Sequence, residues 1–189
     1  GSTISIVDGN LKVTESSSYG SGANSTIFVN SGKYYWEVTV LGVESVNSYP
    51  HIGVGAFVEQ TASNFFLTGL TWRPNGTVSS GSSYITVNGS PGGTTYTTND
   101  IIQVALDMDN NKVWLGKNNT WLASGNPATG ANATGTITAG TLMGAITGIY
   151  TSSSIVAFNF GQRPLSYTAP SGYVALNTYN LSTPTIIQG

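Results

Sequence analysis

Lys33-Tyr34-Tyr35-Trp36-Glu37-Val38-Thr39-Val40 is the stretch whose reading decides the fold. Tyr34, Trp36, Val38 and Val40 fall at every second position, with Tyr35, Glu37 and Thr39 between them. Side chains alternate across a strand, so this spacing makes one apolar face and one mixed face. Such a pattern belongs to a half-buried antiparallel strand. Working outward, similar runs predict strands over 4–7, 11–14, 52–57, 84–87, 101–108, 142–150 and 155–160. Turn chemistry separates them: Asp8-Gly9-Asn10, Pro74-Asn75-Gly76, Asn88-Gly89 and Asp109-Asn110-Asn111-Lys112 all supply residues that tolerate positive φ. The last of these joins 104–108 to 113–115 as the firmest hairpin. Many short strands with frequent turns predict an all-β, two-sheet antiparallel β-sandwich or a barrel. No segment combines caps with a 3.6-residue period over the length of a substantial helix.

Composition narrows the class. The 189 residues fit one domain and can bury a core without metal or disulfide staples. Only 7% are charged, against about 25% in ordinary soluble domains. The six basic residues, Lys12, Lys33, Arg73, Lys112, Lys117 and Arg163, are scattered. Nucleic acid binding needs a basic stripe and membrane-surface binding a polybasic cluster, and neither is present. No apolar run approaches the roughly 18 residues that span a bilayer, so membrane insertion is not expected. Cysteine is absent, and the surface must be largely Ser, Thr, Asn and Gly. Residues 125–140 and the tail from 177 read as loops. Gly1-Ser2 reads as an expression scar, 3–178 as the β-sandwich domain and 179–189 as a C-terminal linker. Six Asn-x-Ser/Thr sites, among them Asn24, Asn75 and Asn118, follow from a chain rich in these residues.

Ser31-Gly32 leading into Lys33–Val38 is similar to the early strand of the SPRY domain family, and Ile52-Gly53-Val54-Gly55 to the one that follows. Asp100 to Asp107, then Val113-Trp114-Leu115-Gly116-Lys117-Asn118-Asn119, resemble its central hairpin. The C-terminal run Asn159-Phe160-Gly161-Gln162-Arg163-Pro164, with Tyr167, Pro170, Gly172-Tyr173 and Ala175-Leu176-Asn177-Thr178, resembles SPRY domains of tailed-phage and prophage virion proteins. Gln103 and Asn119 depart from the pattern, each standing where glycine is usual. The resemblance implies a concanavalin-like, jelly-roll sandwich whose loops bind partners. It further implies a virion tail or fibre protein facing outward, with a host-surface glycan or protein, or neighbouring virion subunits, as partner. Homo-oligomerisation would come through a parent chain. A purely structural spacer is the alternative function.

Catalytic constellations are thin. The single histidine, His51, has no carboxylate neighbour in sequence, and no Gly-x-Ser-x-Gly frames a serine. Glu37, Glu44, Glu59, Asp107 and Asp109 offer carboxylates for a glycosidase, the remote alternative, but nothing selects a pair. Asp107, Asp109 and Asn111 echo a calcium loop, yet Lys112 replaces its glycine and Asn118 its bidentate glutamate. The reading is therefore a non-enzyme without cofactor or metal. Trp36, Phe57, Phe158 and Phe160 lie on apolar strand faces and are expected in the core. Tyr49, Trp72, Tyr96 and Trp121 lie where loops begin and are expected to stand exposed. With His51 and Arg73 they form the candidate ligand-binding set, since exposed aromatics stack on sugars or fill partner pockets.

Overall fold

The computed structural model describes residues 4–16, 20–57 and 69–181. Gly1-Ser2, Glu59 and the tail beyond Leu181 lie outside those residues. Two sheets carry the chain. The larger contains β1 (Ile4–Val7), β2 (Lys12–Glu15), β4 (Lys33–Gly42), β8 (Ile85–Val87), β9 (Ile101–Asp107), β10 (Lys112–Lys117), β12 (Gly135–Ile137) and β14 (Ile155–Asn159). Their order is β1-β2-β14-β4-β9-β10-β12-β8, with β11 (Thr120–Trp121) beside β10 and β15 (Val174–Ala175) beside β4. The smaller runs β3-β13-β5-β6-β7, from β3 (Ser21–Asn24), β5 (His51–Ala56), β6 (Gly69–Trp72), β7 (Val78–Ser80) and β13 (Met143–Ile149). Helical structure among the described residues amounts to short 3₁₀ turns, such as Leu122–Ser124 and Thr178–Asn180.

The period-two residues do what their spacing demands. Trp36, Val38 and Val40 from β4, with Ile102, Val104 and Leu106 from β9, face Ile52, Val54, Leu70 and Trp72 across the sandwich, all fully buried. Burying each such side chain contributes about 1.5–3 kcal/mol, and this layer is the main stabilising interaction. The two best hairpins form as expected. Asp8-Gly9-Asn10 turns β1 onto β2, pairing Val7 with Lys12. Asp109 to Asn111 turns β9 onto β10, pairing Asp107 with Lys112, and Asn111 takes φ +56°.

Three expectations need correction. β4 is not half-buried: its second face is closed too, with Tyr35 and Glu37 both inaccessible. Leaving β14 at Asn159, the chain crosses the outer face of the large sheet and returns as β15, parallel to β4 at Tyr34 and Tyr35. Tyr173 from this strap packs with Tyr35, Ala105 and Trp114 in a second apolar cluster. Residues 125–140 are not all loop, because β12 lies within them and bridges β10 to β8. Only Ile137 there is a large apolar residue, too little for a period to show. Phe57 is 55% exposed rather than core, and its ring meets Phe28 edge-on at 5.1 Å. It follows the last residue of β5, so strand alternation no longer aims it inward.

Glu37 pins the strap. One carboxylate oxygen accepts the Tyr35 hydroxyl (2.9 Å) and the Tyr167 amide (2.8 Å), and the other accepts the Ser166 amide (2.8 Å). Deleting a buried acceptor orphans its donors at about 1–3 kcal/mol each. Glu37→Ala is therefore expected to lower unfolding stability by roughly 3 kcal/mol. Urea titration measures that loss, and amide hydrogen exchange should show Ser166 and Tyr167 deprotected while β5 and β13 keep their protection.

Candidate functional site

Strand direction brings a set of loops to one end of the sandwich. β4 ends there at Gly42, paired with the first residue of β14, Ile155. β5 begins there at His51, and Ile52 pairs with Trp72 at the end of β6. β9 begins and β10 ends there, where Ile102 pairs with Lys117. The connections 43–50, 73–77, 88–100, 118–119 and 150–154 thus share one rim.

Five of the six candidate residues gather at this rim. The rings of Tyr49 and His51 stack at 4.0 Å with 5° between planes, and Tyr150 stacks on the other side of the cluster, 5.5 Å from Tyr49. Trp72 meets Tyr96 edge-on at 5.2 Å. Register places Arg73, one residue past Trp72, across from His51. The sixth candidate, Trp121, sits apart on the outer face of the large sheet, edge-on to Tyr35 at 6.5 Å. It lies over Gly116, where a Cβ would come within 2.9 Å of its ring.

Their exposure differs from expectation. Trp72 and Tyr96 are buried and belong to the core rather than to a solvent-facing surface. The Trp72 indole N–H donates to the Thr94 carbonyl at 3.0 Å, and the Tyr96 hydroxyl donates to the backbone carbonyls of Trp72 (2.9 Å) and Pro50. Both therefore lock the 88–100 loop onto β6. His51 is also buried, while Tyr49, Arg73, Trp121 and Tyr150 are half-buried.

One residue that sequence reasoning missed is the most exposed apolar group at this rim. Val46 is 88% accessible. Its loop is nonetheless fixed: Glu44 and Tyr49 bridge through both backbone amides, and the Glu44 carboxylate accepts the amides of Val46 (3.0 Å) and Asn47 (2.8 Å). Ser48 ties it to the 73–77 turn by accepting the Asn75 amide at 3.0 Å. A single valine in a polar run has no period to reveal it. The signal available was Glu44 itself, placed two and three residues before the amides it accepts.

Three further carboxylates also hold backbone. Asp107 pairs with Lys33 at 3.0 Å and accepts two Asn110 donors, and Asp109 accepts the Gly32 amide at 2.6 Å. Burial pushes Asp107 up, but the Asn110 and Lys33 bonds outweigh it and hold it below the usual carboxylate value. Asp100 accepts the Thr97 amide (2.8 Å) and the Asn118 side chain (2.6 Å), with Lys117 at 3.8 Å. The calcium-loop echo is thus turn chemistry, and among the described residues no group of three or more His, Asp or Glu could hold a metal.

No protein-family model matches the chain, and no curated protein does. Solved structures do. The architecture is the two-sheet sandwich of SPRY domains. The SPRY domain of human HERC1 superposes with a TM-score of 0.60 at 18% identity, over 87% of this chain and 100% of that one. A human SPRY domain gives 0.58 at 12% identity, over 87% of this chain and 99% of that one. The fold expectation is met.

His51 makes the rim titratable. Burial, and then the Arg73 charge, lower its pKa from 6.5 to about 3, against an opposing backbone hydrogen bond with Ser48. The folded state therefore keeps it neutral where the unfolded chain already binds a proton. Its contribution is whole above pH 6.5 and drains away as pH falls toward 3. The slope is about 0.7 kcal/mol per pH unit at pH 6.5 and approaches about 1.4 kcal/mol per pH unit near pH 5. Since it is the only histidine, His51→Gln should flatten that arm of the stability–pH curve, read from chemical denaturation midpoints.

Proposed function

We propose that this chain is a non-catalytic recognition module that engages a protein partner through the loop rim bearing Val46. The observation that carries the reading is the pairing of exposure with rigidity. Binding sites lose affinity when loops must be ordered on contact, and the Glu44 carboxylate has already ordered this one. Val46 offers an apolar tip, and half-buried Tyr49, on the same loop, stacks with Tyr150 to add aromatic surface of the kind that dominates binding energy. The SPRY fold supports the reading, and the carboxylates of Glu37, Glu44, Asp100, Asp107 and Asp109 are engaged in holding turns, loops and the strap. We place the module on the outer face of a phage virion, as part of a tail or fibre protein meeting the host surface. That setting rests on the C-terminal Asn159-to-Thr178 run and on a surface nearly free of charge.

Val46→Asp tests the reading against Val174→Asp, a control at another exposed apolar position. Peptides enriched on the immobilised chain from a random display library should lose at least about tenfold in affinity on the first variant and keep it on the second. Failure to enrich any peptide, or equal loss on both, overturns the proposal. In a particle carrying the chain, Val46→Asp should lower adsorption and leave assembly intact. Failed assembly with normal folding would favour the spacer role instead.

A further inference from the structure

The rim contains a cation that no ion pair neutralises among the described residues. Arg73 leaves β6 after Trp72, on the same strand side as His51, and its backbone closes the 73–77 turn through Thr77 and Gly76. Neither its guanidinium nor any part of its side chain forms an ion pair among the described residues, where the pairs are Lys33 with Asp107 and Lys117 with Asp100. Its Nε is buried and has no hydrogen-bond partner. The residue is half-buried against the Tyr49, His51 and Tyr96 groups, all of which feel its charge.

A buried donor without an acceptor costs free energy, more so when it carries charge. Among the described residues two carboxylates stand at this rim, and both are committed elsewhere. Glu44 gives one oxygen to Val46 and the other to Asn47, and Asp100 is held by Thr97, Asn118 and Lys117. His51 stays neutral and adds no second cation. What remains is one guanidinium edge beside tyrosine rings, in the low-dielectric surroundings where a charged hydrogen bond is strongest.

Building on the reading of the rim as a protein-binding face, we infer that Arg73 anchors an aspartate or glutamate side chain of the bound partner. The buried Nε is out of a partner's reach, so a planar carboxylate meets the guanidinium end-on, one oxygen to each terminal N–H, a geometry that an ammonium cannot match. Val46, on the loop tied to the 73–77 turn through Ser48 and Asn75, supplies the adjoining apolar contact. The partner motif is thus an acidic residue beside an apolar one. A polypeptide rather than an acidic sugar is favoured because Val46 calls for an apolar side chain next to the carboxylate.

The experiment is an NMR titration of the whole ¹⁵N-labelled chain. Arginine occurs only at 73 and 163, so the Nε–Hε region holds two signals, assigned by the loss of one in Arg73→Lys. The probes are N-acetyl-valyl-aspartate amide, its asparagine counterpart and methyl glucuronide. The aspartate probe should shift the Arg73 signal saturably and spare that of Arg163, with no response to asparagine. Arg73→Lys should weaken binding of the aspartate probe by about tenfold, monitored at the Val46 and Asn47 amides. Equal response to asparagine, response to glucuronide alone, or no shift by about 50 mM probe overturns the inference. If library peptides without acidic residues bind in a Val46-dependent manner while the aspartate probe fails, the rim remains a binding face and only the carboxylate anchor falls.

Discussion

Everything in this molecule depends on β4 being closed on both faces. On one side Trp36, Val38 and Val40 meet the small sheet. On the other, Tyr35 and Glu37 receive the strap that leaves β14 and returns as β15. The inner contact is apolar and tolerant of detail. The outer one is polar and directional, since a buried carboxylate must find donors or cost several kcal/mol. Glu37 finds three, and two of them are backbone amides of a segment more than a hundred residues away in sequence. The strap is thereby held in one register, and with it the end of the chain's path across the large sheet.

The same division explains what could be read from the sequence. Strands whose inner faces are apolar, such as 101–108 and 142–150, show a period and are found within a residue or so of their ends. Strands that contribute little apolar surface are not visible. Ser21–Asn24 is a polar and small-residue edge strand that exists because β13 offers it a ladder. Gly135–Ile137 is caught between two neighbours. Pairing supplied by the rest of the fold, rather than local preference, makes these strands. The second burial of β4 was hidden for a related reason: period-two logic sees which residues can face a core, and not what later chain will cover the opposite side.

Two departures from the SPRY pattern illustrate how local rules meet tertiary ones. Gln103 and Asn119 each replace an expected glycine, 16 residues apart in sequence. In the structure they are partners: the Gln103 carbonyl oxygen accepts the Asn119 amide at 2.6 Å, while its amide nitrogen donates to the Tyr35 hydroxyl at 3.0 Å. Asn119 keeps the positive φ of +67° that the turn requires, which asparagine tolerates among non-glycine residues. A buried polar chain therefore runs from the β10 turn through Gln103 and Tyr35 to Glu37 and the strap. Glycine at position 103 would leave the Tyr35 hydroxyl without its amide donor.

The candidate site was legible by location more than by exposure. Tyr49, His51, Trp72, Arg73 and Tyr96 lie where strands meet loops, and antiparallel order sends those strand ends to one rim. Which of them face solvent is decided by how the loops fold back. Tyr96 turns inward because the carbonyls of Trp72 and Pro50 lie within reach of its hydroxyl, and Trp72 points into the core by strand alternation. These two fix the platform. The surface is left to Val46, Tyr49, Tyr150 and Arg73. In a chain with only six cations and eight anions, long-range attraction is weak and cannot do much to select a partner. Selectivity must then come from short-range geometry, and a rigid rim with one unpaired guanidinium is the arrangement in which short-range geometry discriminates most sharply.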